Sequence, residues 1–197
     1  MSDIENLTQN EASKPEKKEE SFVRWLIETA LLVLLAFILA QGIKTYVVQP
    51  FIVPTGSMLP TIELSDYLLA EKITYRFSHR PVAGDIVVFK NPQRDPSAPI
   101  LIKRLIAVGG QTVDLKDGAV WVNGTKRDEP YTHGKPSYPL NPAIHYPFVV
   151  PQNSYWMMGD NRTNSGDSRE FGPVAESDVI GHAVWTYWPL NHFGRLQ

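Results

Sequence analysis

The sequence predicts a mostly β protein preceded by one transmembrane helix. Three observations support this fold class. One long apolar run, residues 22–43, lies near the N-terminus. Beyond residue 44 the chain consists of short apolar and β-branched runs bounded by Gly, Pro or Asp, which is the pattern of strands. No long amphipathic helical period occurs there, so a barrel or a sandwich of strands is expected.

The composition excludes several classes of site. The net charge of −2 over 197 residues does not indicate a nucleic-acid-binding surface. The chain contains no cysteine, which rules out disulfides, a thiolate nucleophile and a Cys-ligated metal. The first 20 residues contain six acidic and three basic side chains and almost nothing apolar to bury. Residues 1–21 are therefore predicted to form a disordered cytoplasmic tail.

Residues 22–43 are predicted to be a membrane anchor. The 19 positions from Trp25 to Ile43 would span roughly 28 Å as a helix, close to the thickness of a hydrocarbon core. Basic residues are concentrated before the segment, which places the N-terminus in the cytoplasm and the rest of the chain outside a plasma membrane. Two alternatives remain open: a cleaved signal peptide ending near Gly42 and a buried core helix.

The runs that follow the anchor predict the β domain. A hairpin is expected in QTVDLKDGAVWVNG, with its turn at Asp117-Gly118. Residues 126–153 contain six prolines and cannot form a central strand, so an extended excursion from the β core is expected. The other predicted strands are, in chain order, YVVQPFIVP, DYLLAEKITY, GDIVVFKNP, ILIKRLIAVGG, YWMMGDN and VIGHAVWTYWP.

Ser57 is the first candidate for chemistry. It lies in VPTGSMLPT, where Pro54 and Pro60 restrain the backbone and Gly56 leaves the serine uncrowded. The segment is either an ordinary turn or a loop that presents a nucleophilic serine. A serine nucleophile needs a base. None of the five histidines has a distinctive neighbourhood, although His182 follows Gly181 in a strand-like run and leaves a Ser-His-Asp triad open.

A lysine can act as the base if burial lowers its pKa towards neutrality. Lys103 lies in the apolar run PILIKRLIAVGG. Alternation along a strand directs Lys103 and Arg104 to opposite faces, so one of them is expected to point inward. The alternative is that both are solvated residues of an edge strand.

The segment GDNRTNSGDSREFG, residues 159–172, is the third candidate. Its three acidic residues, two Arg, two Asn and two Ser are typical of a self-contained hydrogen-bond network that supports an active site. The alternative is a polar turn. No cluster of residues has convincing metal-ligand spacing, and neither a metal nor a cofactor is expected.

Taken together, four segments resemble the bacterial type I signal peptidases, which are membrane-anchored serine proteases. The resemblance covers nearly the whole chain from the anchor to the C-terminus. Residue 163 is Thr, where the family pattern commonly has Asp, and residues 126–153 match no segment and have the character of a lineage-specific insertion. The four segments are PTGSMLPTIELSDYLLAEK, GDIVVFKNP, IKRLIAVGG and GDNRTNSGDSREFG.

The resemblance implies a role for each matched residue. Ser57 corresponds to the nucleophile and Lys103 to the general base. The Ser57 backbone N–H and the Thr55 hydroxyl correspond to the oxyanion hole, and Ser165 to the residue that orients the Lys103 ammonium. Two supporting ion pairs are also implied: Asp160 with Arg104 and Asp167 with Arg169.

The resemblance also implies the fold, substrate and location. Residues 44–197 would be an extracytoplasmic catalytic domain with a small appended β subdomain. The substrate would be the signal peptide of an exported preprotein, cleaved after small residues at −1 and −3. The lipid bilayer is an expected partner and the protein-export machinery a further candidate; nucleic acid is not. The expected substrate groove is apolar and shallow, beside residues 50–56, and is lined by Val53, Pro54, Met58, Ile62 and Ile102.

Other functions are consistent with parts of this pattern. A self-cleaving repressor or a pilin-processing relative could use the same Ser/Lys pair, but the anchor disfavours a cytosolic repressor. A membrane-anchored β adaptor could bind peptides without cleaving them, but it would need neither Ser57 nor Lys103.

Overall fold

A computed structural model of the chain describes residues 16–78 and 80–196. The chain divides into two compact units, Met1–Ile43 and Lys44–Gln197. Residues 1–15 of the predicted tail, and His79, lie outside the described residues. Residues 16–21, which were also expected to be disordered, are helical instead, because Glu and Lys residues favour a helix.

The N-terminal apolar segment is one helix, α1 (Glu16–Tyr46). Its most apolar part lies in Phe22–Tyr46, which is 25 residues long and contains an 18-residue stretch with a mean hydropathy of 2.3, enough by length and composition to cross a membrane. None of this part is buried within the protein, unlike a core helix. A continuous apolar run without a polar face is suited to lipid on all sides.

The unit Lys44–Gln197 is mostly β, as predicted. Every run that predicted a strand contains one, because these runs combine β-branched or aromatic residues with flanking turn residues. The described residues form twelve strands and one short helix: β1 (Val48–Ile52), β2 (Tyr67–Glu71), β3 (Ile86–Lys90), β4 (Ile100–Val108), β5 (Thr112–Lys116), β6 (Ala119–Val122), β7 (Thr125–Lys126), β8 (Phe148–Val149), β9 (Ser154–Met158), α2 (Ser168–Phe171), β10 (Val174–Ala175), β11 (Val179–Trp188) and β12 (Gly194–Arg195).

The strands form two sheets. The larger has eight strands in the order β1-β2-β11-β3-β4-β9-β10, with β12 paired to β11. The smaller has four strands in the order β7-β6-β5-β8 and is the small appended β subdomain that the resemblance implied. β1 lies at one end of the larger sheet, where Pro50 is tolerated because an edge strand does not need every backbone donor.

The predicted hairpin is formed by β5 and β6. Lys116 pairs with Ala119 across a two-residue turn, in which Asp117 and Gly118 both have positive φ, 52° and 73°. Two such residues form the type I′ turn that matches the twist of antiparallel strands. The Asp-Gly pair therefore sets the register of this subdomain.

The larger sheet is covered on both faces. Alternate residues of β3 enter different core clusters: Ile86 and Val88 belong to one, and Val87 and Phe89 belong to another. Successive side chains of a strand point to opposite faces of the sheet. A strand that is apolar at every position is therefore typical of a sheet that is buried on both faces. β4 pairs with β3 on one side and β9 on the other, so it lies inside this double-sided core.

Candidate active site

Ser57 lies in a short 3₁₀ turn, Gly56–Met58, that follows β1. The turn is closed by a hydrogen bond from the Leu59 N–H to the Gly56 carbonyl. Ser57 itself is 9% exposed. Only a small part of Ser57 therefore remains in contact with solvent.

Lys103 on β4 contacts Ser57 directly. Its Nζ donates a hydrogen bond to Ser57 Oγ at 2.5 Å, across 46 positions of sequence. Lys103 is 2% exposed and Arg104 is also 2% exposed. One of the two was expected to point inward, but both side chains are buried because both faces of the sheet are covered at β4.

The environment of Lys103 favours its neutral form. Burial lowers the pKa of the amine from 10.5 to about 8, because a charged ammonium loses hydration in the protein interior. Asp167 and Asp160 act in the opposite direction and raise the pKa, whereas Arg169 lowers it further. The desolvation is the largest of these effects, so Lys103 can lose its proton near physiological pH.

Thr55 lies beside the same hydroxyl. Thr55 Oγ1 is 3.5 Å from Ser57 Oγ, which is a long contact for two hydroxyl groups. Thr55 is exposed. Outside its own 3₁₀ turn, the Ser57 backbone N–H donates to no backbone carbonyl of residues 16–78 and 80–196. Two donors near the nucleophile are thus available to another group.

The segment 159–172 is a buried network of charges. Arg104 and Asp160 form a two-pronged ion pair, with Nε–Oδ1 at 2.8 Å and Nη2–Oδ2 at 2.7 Å. Asp167 accepts from the Arg169 side chain at 2.9 and 2.8 Å and also caps α2 through the Arg169 backbone N–H. Such planar pairs are rigid as well as strong. They hold the segment in one conformation beside β4.

Two residues of this segment contact the serine turn directly. The Asn161 N–H donates to the Ser57 carbonyl at 3.0 Å, and Asn161 Nδ2 donates to the Gly56 carbonyl at 2.9 Å. A Cβ added at Gly159 would lie 2.4 Å from the Ser57 carbonyl and 2.3 Å from Ser165 Oγ, so only glycine fits. Neither Gly159 nor Asn161 has a role that is predictable from the sequence, although both lie in the segment 159–172.

Ser165 lies close to Gly159 and is also buried. It is 9% exposed, and its hydroxyl has no hydrogen-bond partner among the described residues. An unpaired buried hydroxyl is unusual because it loses its hydration without compensation. Thr163, where the sequence departs from the family pattern, is exposed.

The five residues expected to line a substrate groove differ in their exposure. Val53, Met58 and Ile62 are buried in one core cluster, and Ile102 is partly buried against it. Pro54 is exposed. Of the five, Pro54 and Ile102 are therefore exposed enough to contact a peptide. The other three are buried and pack beneath them in the core.

Two of the histidines, His182 and His192, have other partners. The ring of His182 is stacked on Tyr75 at 5.5 Å and faces Glu71 and Asp85, and His192 bonds Asp66 at 2.8 Å. No histidine of the described part of the chain contacts Ser57 Oγ. In that same part, no group of three or more His, Asp or Glu could hold a metal ion.

Comparison with known proteins identifies the family. The family described as "Signal peptidase, peptidase S26" matches residues 26–188. A "Signal peptidase I" of Leptolyngbya laminosa is 41% identical over 167 residues, which cover 82% of this chain and 79% of that protein. A "Probable signal peptidase I-1" of a Synechocystis strain is 38% identical over 178 residues and 88% of both chains.

A solved structure is also similar, that of a signal peptidase I from Enterococcus faecalis V583. It is 29% identical, with a TM-score of 0.42, and the match covers 53% of this chain and 97% of that one.

The chain belongs to the signal peptidase family, peptidase S26. It is accordingly a serine endopeptidase of the type I signal peptidase class, and its function is the removal of signal peptides. Together with the N-terminal apolar helix, the family assignment indicates a membrane-anchored protein.

Proposed function

We propose that this signal peptidase cleaves preproteins with a catalytic dyad of Ser57 and Lys103. The observation that carries the proposal is the 2.5 Å contact between Lys103 Nζ and Ser57 Oγ, deep in the domain. The lowered pKa of Lys103, about 8, supports the role of general base, because a base works best with a pKa near the operating pH.

The chemistry follows from this geometry. Neutral Lys103 accepts the hydroxyl proton of Ser57 while Oγ attacks the carbonyl carbon of the scissile peptide bond. The resulting ammonium returns the proton to the leaving amine as the C–N bond breaks, which leaves an acyl-enzyme on Ser57. Lys103, neutral again, then accepts a proton from the water that hydrolyses the ester.

The groups around the dyad can stabilise the charges that form during this reaction. The Ser57 N–H and the Thr55 hydroxyl can both donate to the oxyanion of the tetrahedral intermediate. The Ser165 hydroxyl has no partner among the described residues, and its proposed role is to move towards the Lys103 ammonium during the reaction and accept a hydrogen bond from it. The Arg104–Asp160 and Arg169–Asp167 pairs hold the surrounding segment in place.

The proposed substrate is a signal peptide with small residues at −1 and −3. It would lie as an extended strand beside residues 50–56 and contact Pro54 and Ile102, above the buried side chains of Val53, Met58 and Ile62. The position of β1 at the end of its sheet supports this mode, because an edge strand offers free backbone groups. Val53 is an exception, since its N–H and carbonyl are bonded to Asp66 and Ser65.

The proposed topology follows the distribution of charge. Residues 1–21 would be cytoplasmic, residues 22–43 would span the plasma membrane, and residues 44–197 would form the extracytoplasmic catalytic domain. Basic side chains are more frequent before the apolar segment than just after it, which supports this orientation. The protein-export machinery is a proposed partner, since preproteins reach the same face of the membrane.

Three variants test the dyad. Ser57→Ala and Lys103→Ala in the full chain in detergent should both leave a purified preprotein uncleaved, because the two residues act as one unit. His182→Ala should cleave it at the wild-type rate. An inactive His182→Ala with an active Lys103→Ala would replace the dyad with a histidine-based triad.

The dependence of the rate on pH is a second test. With a pKa of about 8, the neutral fraction of Lys103 falls about tenfold for each pH unit below that value. The kcat should therefore rise with pH and level off above about 8. A kcat that is constant between pH 6 and pH 9 would contradict Lys103 as the base.

A further inference from the structure

The proline-rich segment, residues 126–153, is bonded to the segment that holds the serine turn. Lys135 Nζ donates to Asn161 Oδ1 at 2.7 Å. The Asn141 N–H donates to the Arg169 carbonyl at 3.1 Å, and Asn141 Nδ2 donates to the Glu170 carbonyl at 2.8 Å. These bonds fix the segment against residues 161–170, so its conformation and theirs are coupled.

Arg162 makes the most extensive of these connections. Its side chain is 0% exposed. Its Nη1 and Nη2 donate to the two carboxylate oxygens of Glu129, both at 2.7 Å, and Nη1 also donates to Ser137 Oγ at 2.6 Å. A buried guanidinium needs such a partner, because an unpaired charge in the interior is strongly unfavourable. Glu129 and Ser137 both belong to the proline-rich segment.

Tyr131 completes the arrangement. Its hydroxyl donates to Glu129 Oε1 at 2.9 Å, and its ring lies 4.0 Å from the guanidinium carbon of Arg104 and 5.8 Å from that of Arg162. The ring face attracts both cations. Arg104 is the chain neighbour of Lys103, so the proline-rich segment also packs against the strand that carries Lys103.

The remaining side-chain hydrogen bond of Arg162 is made to Gly159, which packs against the Ser57 turn. Arg162 Nε donates to the Gly159 carbonyl at 3.0 Å, while the Gly159 N–H donates to Asp167 at 3.0 Å. Gly159 is in turn wedged against the Ser57 carbonyl and the Ser165 hydroxyl. A continuous path of bonds and contacts therefore joins Glu129 to Ser57 through Arg162 and Gly159.

We infer that Glu129 is a positioning residue for this signal peptidase, which acts through Arg162 and Gly159 to hold the Ser57 turn at the distance that Lys103 requires. The inference rests on the proposed Ser57–Lys103 dyad. It gives the proline-rich segment a function that its sequence did not reveal. Glu129 bonds neither Ser57 nor Lys103, and it is not among the charges that shift the pKa of Lys103, so the inferred effect is on geometry.

Two kinetic measurements on Glu129→Gln, its kcat relative to KM and the midpoint of its pH–rate profile, distinguish a positioning role of Glu129 from a role in stability alone. Misplacement of a reacting group by about 1 Å can reduce the rate about a hundredfold, so Glu129→Gln should lower kcat about tenfold to a hundredfold with little change in KM. A shifted turn would also admit water to Lys103, whose charged neighbours are Asp160, Asp167 and Arg169. Hydration favours the ammonium, so the midpoint of the pH–rate profile should move upward.

Asp128→Asn is the matched control. Asp128 is the preceding residue, is exposed, and loses the same charge by the same chemical change. Its variant should keep the wild-type kcat and pH midpoint. If both variants shifted the midpoint alike, or if Glu129→Gln shifted it downward, loss of a negative charge and not a change of geometry would be the cause.

A double variant covers the case in which Glu129→Gln unfolds because Arg162 is left unpaired. Glu129→Met with Arg162→Met removes both charges, and apolar replacement of a buried ion pair is often neutral for stability. We expect its thermal unfolding midpoint to return to that of the wild type while kcat stays low, because no donor remains for the Gly159 carbonyl.

The inference is tested by measuring the kcat of each variant as the full chain in detergent, with one purified preprotein as substrate. Wild-type kcat in either Glu129→Gln or the double variant would overturn it. Ser57→Ala, measured in parallel, separates the two proposals: residual activity there would refute the dyad. An inactive Ser57→Ala with a fully active Glu129→Gln would refute only the role of Glu129.

Discussion

Replacement of Lys103 by methionine should inactivate the enzyme and make it more stable at neutral pH. The amine is 2% exposed, and burial lowers its pKa from 10.5 to about 8. At pH 7 it is mostly charged in both the folded and the unfolded chain, so the folded state carries the full cost of an ammonium in the interior. Methionine has a similar length and no charge to bury.

The magnitude follows from linkage between protonation and folding. A difference of about 2.5 pKa units corresponds to about 3 kcal/mol. The folded pKa lies below the unfolded one, so this contribution stabilises the wild type above about pH 10.5 and is lost as the pH falls to about 8. Between pH 7 and pH 9 the wild type should gain about 1 kcal/mol in its free energy of unfolding from Lys103 alone.

Urea unfolding of the full chain in detergent, followed by tryptophan fluorescence, measures this difference. The free energy of unfolding of Lys103→Met minus that of the wild type should be largest at pH 7 and about 1 kcal/mol smaller at pH 9. Packing and the lost bond to Ser57 add a constant that does not depend on pH. A difference that is the same at both pH values would refute the lowered pKa of Lys103.

Three further predictions concern the site and the anchor. Gly159→Ala should lower kcat about a hundredfold or more, because its Cβ would overlap the Ser57 carbonyl at 2.4 Å; wild-type kinetics would contradict the close packing. Ser165→Ala should lower kcat about tenfold to a hundredfold without loss of stability, since its hydroxyl has no partner among the described residues; an unchanged kcat, measured with a preprotein, would remove Ser165 from the site. Protease added outside spheroplasts should degrade residues beyond about 44 and spare the N-terminal tail, and the reverse pattern would refute the topology.

Local patterns in the sequence predicted the elements of the fold. The β-branched runs with their flanking turn residues predicted the strands, and Asp117-Gly118 predicted the hairpin turn. These features succeed because a residue's conformational preference and the period of its neighbours act over a few positions. The same is true of the apolar helix, whose length is a property of one segment.

The motifs located the candidate residues but not their surroundings. Ser57 and Lys103 were singled out from their flanking residues and the family resemblance, whereas alternation along β4 did not predict that Arg104 would be buried along with Lys103. That burial results from neighbouring strands and covering segments distant in sequence. A period of two describes which side a residue faces, but not whether that side is covered.

The surroundings of the dyad depend on contacts between residues that are distant in sequence. Glu129 lies in a segment whose prolines and aromatics carried no readable function, yet its carboxylate meets Arg162 across 33 positions. The burial of Lys103 that lowers its pKa, and the wedge of Gly159 against Ser57, also arise only when distant segments pack together. The strands, the helix and the candidate dyad are predictable from the sequence, because their signals are local. The electrostatics and the precise placement of the nucleophile depend on long-range contacts, for which no short pattern carries a signal.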